Sequence, residues 1–176
     1  MYLSMVETEE QRSMVERLYI DHKQTMYHTA FAVLNNKQDA EDAVHEAFLR
    51  IITNIDKLAE IETAKIKSFI IIIVKNIAID IYRQRLQKDV SDAPEDDNIE
   101  FSEVEQQVLN SFEYEALNKA VGSLPETQRN VLILKYYHEL SSADIASMLG
   151  ITARAVNTRI NRAENRLQKL LKEDEL

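Results

Sequence analysis

Apolar residues recur at helical spacing along most of the chain. Val15, Leu18, Tyr19, Met26, Ala30, Val33 and Leu34 predict a first helix from about Glu10 to Leu34, after a polar, acidic stretch over residues 1–11 that reads as a frayed terminus. Asn36 is placed to cap a second helix, with Asp39 in its positive first turn and a core face of Ala40, Val44, Ala47, Phe48, Ile51, Ile55 and Leu58. Residues 59–63 read as a connection. A third helix from about Thr63 to Gln87 carries Ile66, Ile70, Ile73, Ile77 and Ile81. Within it the run Phe69–Val74 fits a buried strand as well as a helix; helix is preferred because the phase continues to Ile81 and no turn residue flanks the run. Three helices with one apolar face each predict a small bundle.

The second half has the same period and clearer punctuation. A helix from about Val108 to Val121 (Leu109, Phe112, Ala116, Leu117, Ala120) is ended by Gly122. Ser123 has the capping-box spacing to Glu126, with Pro125 in the first turn and Val131, Leu132 and Leu134 behind it. Ser141 is placed to cap a helix that turns Ile145, Ala146, Met148 and Leu149 inward. Gly150 can end it in the left-handed conformation, and Thr152 can cap the last helix. There Val156, Ile160, Ala163, Leu167 and Leu170 form one stripe. Two short helices joined through a Gly turn are the helix-turn-helix pattern. The expected fold is all-α: an amino-terminal three-helix bundle over residues 1–88, an acidic linker over 89–107, and a carboxy-terminal four-helix helix-turn-helix domain over 108–176.

Composition narrows the class. The 176 residues include two Gly and two Pro, which suits long helices rather than strands with many turns. The absence of cysteine leaves no disulfide framework or thiolate metal site, as expected of a reducing compartment. The longest apolar run, Phe69–Val74, is too short to span a bilayer, and no signal pattern opens the chain, so a cytoplasmic protein without direct membrane insertion is expected. The net charge of −9 argues against nucleic acid until its distribution is read. Residues 89–105 hold eight acids and no base. On one side of them, residues 65–88 carry six bases against Asp80, and on the other, residues 153–172 carry six against Glu164. Two cationic helices are thus separated by an anionic connector.

The last helix carries the chemistry. Opposite its apolar stripe lie Arg154, Thr158, Asn161, Arg162 and Asn165. Arg neutralises phosphate or reads guanine, and Asn can pair with adenine, so such a face suits a major groove.

Three stretches together resemble a small alternative sigma factor of bacterial RNA polymerase, of the extracytoplasmic-function type in the sigma-70 superfamily. DAEDAVHEAFLR, residues 39–50, is similar to the helix that grips the polymerase clamp. KNIAID, residues 75–80, with Arg83 resembles the helix facing the minus-ten promoter element. LSSADIASMLGITARAVNTRINRAENRL, residues 140–167, resembles the module that reads the minus-thirty-five element. The resemblance covers about residues 15–88 and 109–172, and it implies roles. Asp39, Asp42, Glu46 and Leu49 would dock on core RNA polymerase. Lys75, Asn76, Asp80, Arg83 and Arg85 would contact the downstream element of promoter DNA. Arg154, Asn157, Thr158, Arg159, Asn161 and Arg162 would enter the major groove upstream. It further implies an anti-sigma factor that covers both DNA faces, and no cofactor, metal or small-molecule substrate.

The chain departs from the family pattern at three places, one of them Ile71–Ile73, which replace residues that are often polar or aromatic. Phe69 stands where a Trp is usual, leaving Phe69 and Tyr82 as the aromatic candidates for stacking on an unpaired base. Asn157 stands where Lys is common, which either removes a backbone contact or turns it into a base contact.

Two other readings compete. Asp42-Ala43-Val44-His45 is half of a di-iron carboxylate-x-x-His pattern, but His22, His28 and His138 follow Tyr19, Thr25 and Lys135 at that spacing, so no second half exists. With no nucleophile constellation and no phosphate loop, the chain is not expected to be an enzyme. A stand-alone helix-turn-helix regulator, with residues 1–88 as a sensor or dimerisation domain, would bind DNA unaided on a two-fold site. If the acidic connector competes with DNA for the cationic helices, removing residues 89–105 will tighten non-specific DNA binding at low salt in a gel-shift titration; unchanged binding would count against that competition.

Overall fold

The computed structural model describes residues 2–89, 107 and 115–174, and every regular element among them is helical. The chain divides into two compact units, Met1–Glu95 and Asp96–Leu176. The acidic connector, apart from residues 89 and 107, and the first part of the helix expected from Val108 lie outside the described residues. No helix among the described residues is long and apolar enough to cross a membrane.

In the first unit, α1 (Glu9–Leu34), α2 (Lys37–Thr53), a short α3 (Ile55–Glu60) and α4 (Thr63–Asp89) follow a 3-10 turn at Tyr2–Met5. Helix α4 lies against both α1 and α2, which explains the composition of its middle. Every residue from Ser68 to Ile79 is buried, so the Phe69–Val74 run is a helix with no polar side because it has no solvent side. Its two neutral polar residues are satisfied within the helix. Ser68 Oγ donates to the Lys65 carbonyl and Asn76 Nδ2 to the Ile72 carbonyl, both at 2.8 Å.

The second helix stops earlier than its apolar pattern implies. Asn54 leaves the helical conformation, and its side-chain Nδ2 donates to the Arg50 carbonyl at 2.8 Å while its backbone N–H reaches Arg50 and Ile51. An Asn amide that competes for helix carbonyls in this way ends the ladder. Ile55 and Leu58 stay buried across the break, so the face is kept although the helix is not continuous.

The terminus is not frayed over residues 2–8. Tyr2 lies with ring centroids 5.4 Å from Phe48, 5.5 Å from His45 and 6.1 Å from Tyr19, and its hydroxyl bonds His45 Nδ1 at 2.7 Å. Val6 is buried. Thr8 and Gln11 form a reciprocal capping box at the start of α1, and Gln11 Nε2 reaches Asp56 Oδ1 at 2.9 Å. Polarity suggested fraying because the docking partners of Tyr2 lie far along the chain.

In the second unit, α5 (Glu115–Gly122) and α6 (Glu126–Leu132) lead into a π-helical turn (Ile133–Tyr137), followed by α7 (Ser142–Leu149) and α8 (Ala153–Asp174). Helix α8 packs on α5, α6 and α7. Ser123 is not the cap of α6. That position belongs to Pro125, and Ser123 Oγ instead donates to the Ala120 carbonyl at 2.8 Å. Proline disfavours the helical conformation in the residue before it, so Leu124 cannot be the first helical residue that a Ser123 cap requires. Buried Arg129 holds the connection by donating to the carbonyls of Leu124 (3.1 Å) and Gly122 (3.4 Å).

Replacing Tyr2 by Ala removes both the ring contacts and the hydroxyl bond to His45. It should destabilise the first unit by about 1–3 kcal/mol, read from the urea midpoint; an unchanged midpoint would mean that the arm contributes nothing.

Candidate nucleic-acid interface

Local chemistry sets the helix-turn-helix. Ser141 Oγ accepts from the Asp144 N–H at 3.1 Å and donates to the Asp144 carboxylate at 2.6 Å, closing the first turn of α7. Gly150 adopts φ 68° and ψ 34° and bonds the Ala146 carbonyl, the left-handed stop that its lack of a Cβ permits. Thr152 Oγ1 then accepts from Ala155 N–H at 3.1 Å and starts α8. Val156, Ile160 and Ala163 are fully buried, whereas Leu167 and Leu170 are half-buried. The inner stripe therefore anchors the first three turns most firmly.

That anchoring turns the cationic face outward. Arg154, Asn157, Thr158, Asn161 and Arg162 are exposed, and Arg159 is half-buried on the flank. Thr158 Oγ1 donates back to the Arg154 carbonyl at 2.9 Å, which fixes its rotamer. Asn157 Oδ1 lies 2.6 Å from Ser142 Oγ of α7. Tyr136, on the π turn, donates to Glu164 Oε1 at 2.5 Å; this bond, more than burial, raises the phenol above its ordinary pKa. Tyr136 thus engages the acid in the middle of this cationic helix. Neither Ser142 nor Tyr136 was marked by the sequence, because their partners lie 15 and 28 residues away.

The residues expected to face a second DNA element divide in two. Lys75 and Asn76 are buried, at 3 % and 9 % exposure, because α1 and α2 enclose the middle of α4. They are not presented to a duplex in this arrangement, and the Asn76 amide is taken by the Ile72 carbonyl. Asp80 and Tyr82 are exposed and Arg83 is half-buried, one to two turns further along. Arg85 is tied inward: it pairs with the Asp39 carboxylate and donates to the Leu34 carbonyl at 3.4 Å. Of the two stacking candidates, Phe69 is in the core and Tyr82 is 37 % exposed.

On α2, Ala40, Ala43, Val44, Ala47, Phe48, Ile51 and Ile52 face the core. Asn36 Oδ1 caps the helix by accepting from the Asp39 N–H at 3.0 Å. Asp42 is exposed and accepts from Gln38 at 3.2 Å, Glu46 pairs with Arg50 at 2.9 Å, and Leu49 is half-buried. Asp39 differs from these, since its carboxylate already holds Arg85. His45, the histidine of the half di-iron pattern, bonds Tyr2. Among the described residues no cluster of three or more His, Asp or Glu could hold a metal ion.

Known proteins resemble the chain along nearly its whole length. Residues 18–87 match the Sigma-70 region 2 family, and residues 114–167 match Sigma-70, region 4. RNA polymerase sigma factor SigV of Bacillus subtilis is 31 % identical over 155 residues, covering 88 % of this chain and 89 % of that one. ECF RNA polymerase sigma factor SigW of the same organism is 29 % identical over 162 residues, 86 % of each chain. A solved sigma factor, RpoE of Bartonella quintana in complex with the anti-sigma factor NepR, superposes with a TM-score of 0.37 at 20 % identity, over 89 % of this chain and 96 % of that one. That superposition is too loose to add to the sequence matches.

The Asp39–Arg85 pair joins the start of α2 to the end of α4. In a double-mutant cycle of Asp39→Asn and Arg85→Met, the coupling in unfolding free energy should be about 0.2–1 kcal/mol at low salt and vanish near 1 M salt. Strict additivity would show that the pair is not formed in solution.

Proposed function

Because this chain belongs to the RNA polymerase sigma factors of the extracytoplasmic-function type, an alternative factor that directs transcription initiation, we propose that its two units divide promoter binding between them. The first unit docks on core RNA polymerase through the exposed edge of α2 and faces the minus-ten element with the outer end of α4. The second places α8 in the major groove of the minus-thirty-five element. The acidic connector sets the reach and effective concentration of each unit for its element.

The observation that supports this reading best is the order of the two matched regions, each falling on its own compact unit. Charge agrees with it. On α2 the carboxylates of Asp42 and Glu46 suit a protein surface, since they repel phosphate. On α8 the exposed Arg154, Arg162, Asn161 and Thr158 suit a groove. For the downstream element, the accessible part of α4 moves the proposal to Asp80, Tyr82 and Arg83, with Arg85 joining once Asp39 releases it. Asp39 then serves first to hold the end of α4 and only second as a polymerase contact. The cytoplasm, where polymerase works, is the proposed site of action. An anti-sigma partner, which the resemblance implies, would act by covering the two cationic faces. Nucleotidyl transfer stays with core enzyme.

Run-off transcription with and without core polymerase tests the reading: transcripts should appear only when both are present. Footprinting of a palindrome by the chain alone would instead mark a stand-alone regulator. Within the same assay, Arg162→Ala should weaken promoter binding by about 1–3 kcal/mol and relax one position if the guanidinium reads a base. An equal loss on every template would mark a phosphate contact.

A further inference from the structure

Asn157 is the residue of α8 whose chemistry toward DNA depends on its neighbour. A free Asn amide offers a donor and an acceptor side by side, which is what adenine recognition in the major groove requires. Here Asn157 Oδ1 lies 2.6 Å from the hydroxyl of Ser142. Ser142 is the first residue of α7, directly after the Ser141 cap. The local field decides which end of the amide points at it. A helix start presents N–H groups and a partial positive charge, so it attracts a carbonyl oxygen and repels an amino group. The Asp144 carboxylate, in the same first turn, already receives the Ser141 hydroxyl at 2.6 Å. The Ser142 proton therefore goes to the Asn157 carbonyl, and the Nδ2 amino group is left pointing outward.

We propose that Asn157 meets promoter DNA chiefly through its amino group, with Ser142 as the positioning residue that holds its carbonyl toward α7. The inference rests on the reading of α8 as the promoter-facing helix. It means that Asn157 takes an acceptor on the duplex, either a phosphate oxygen at the groove edge or a base acceptor: N7 of a purine, O6 of guanine or O4 of thymine. Because the bond to Ser142 holds the carbonyl toward α7, the paired donor and acceptor contact to adenine is disfavoured. By helical phase Asn157 sits beside Arg154, Thr158 and Asn161 on the flank next to α7. The lock therefore alters a residue at the edge of the reading face and not its centre.

The test selects binders from a pool of duplexes randomised over the upstream element, using holoenzyme assembled from bacterial core polymerase and the full chain. Wild type is compared with Asn157→Ala, Ser142→Ala and Ser142→Thr, with thermal unfolding run on each to show that it folds. Asn157→Ala should weaken binding about three- to tenfold. A loss on all duplexes identifies a phosphate acceptor, and a loss confined to duplexes with either purine, with guanine or with thymine at one position identifies a base acceptor at N7, O6 or O4. Ser142→Ala releases the carbonyl, so adenine should become enriched at a position where wild type does not favour it. Ser142→Thr keeps a hydroxyl and should select as wild type does. Three results would overturn the inference: an Asn157→Ala loss confined to adenine-bearing duplexes, no loss at all, or identical selections by Ser142→Ala and wild type. If the chain selects a palindrome without core enzyme, the sigma factor reading fails, and the same variants compared on that palindrome still decide whether Asn157 acts chiefly as a donor.

Discussion

A helix can hold a row of positive charges toward a ligand only if something holds its back. In α8 that something is the burial of Val156, Ile160 and Ala163 against α5, α6 and α7. Each fully buried Val or Ile side chain contributes roughly 1.5–3 kcal/mol, which sets the helix's rotation about its own axis and hence the direction of Arg154, Thr158, Asn161 and Arg162. Further along, where Leu167 and Leu170 are half-buried, the hold weakens. The same constraint acts on α4 with the opposite result. There burial encloses the whole circumference from Ser68 to Ile79, so exposed polar groups are left to its two ends. One physical rule thus turns the polar face of one cationic helix outward and makes the middle of the other part of the core.

How much of this was legible beforehand follows the range of each interaction. The caps at Asn36, Ser141 and Thr152 were readable because a side chain and the backbone three residues on decide them, and the stop at Gly150 because glycine itself permits the left-handed backbone that bonds back to Ala146. The buried stripe of α8 was readable because 3.6-residue periodicity is itself local. The all-α class followed from those signals. Ser123 misled because its spacing to Glu126 was right while the adjacent Pro125 forbade the geometry; the capping pattern and the proline rule conflicted, and the proline rule prevailed.

Features set by distant partners were not legible. Nothing near Lys75 says that α1 and α2 will close over it, and a lysine in a basic stretch reads naturally as exposed. Tyr2 belongs to a polar segment, yet it meets His45 and Phe48 more than forty residues away. Asp39 and Arg85 looked like contacts for two different partners, and they turn out to be partners of each other. The break at Asn54 is a local feature that was missed: its amide could have been suspected of ending the ladder, but the unbroken apolar face from Ile51 through Ile55 to Leu58 outweighed it.

The wide turn at Ile133–Tyr137 has a consequence for how chains of this kind are compared. Its ladder closes from His138 back to Ile133, five residues, where an α-helix closes over four. The coil therefore holds one more residue than an ordinary turn, and everything after it is out of phase by about 100° with everything before it. A relative without that extra residue should be aligned with a single gap inside this turn. If the gap is pushed into the loop before α7, Tyr136 is matched to a position facing another direction, and its tie to Glu164 disappears from the comparison.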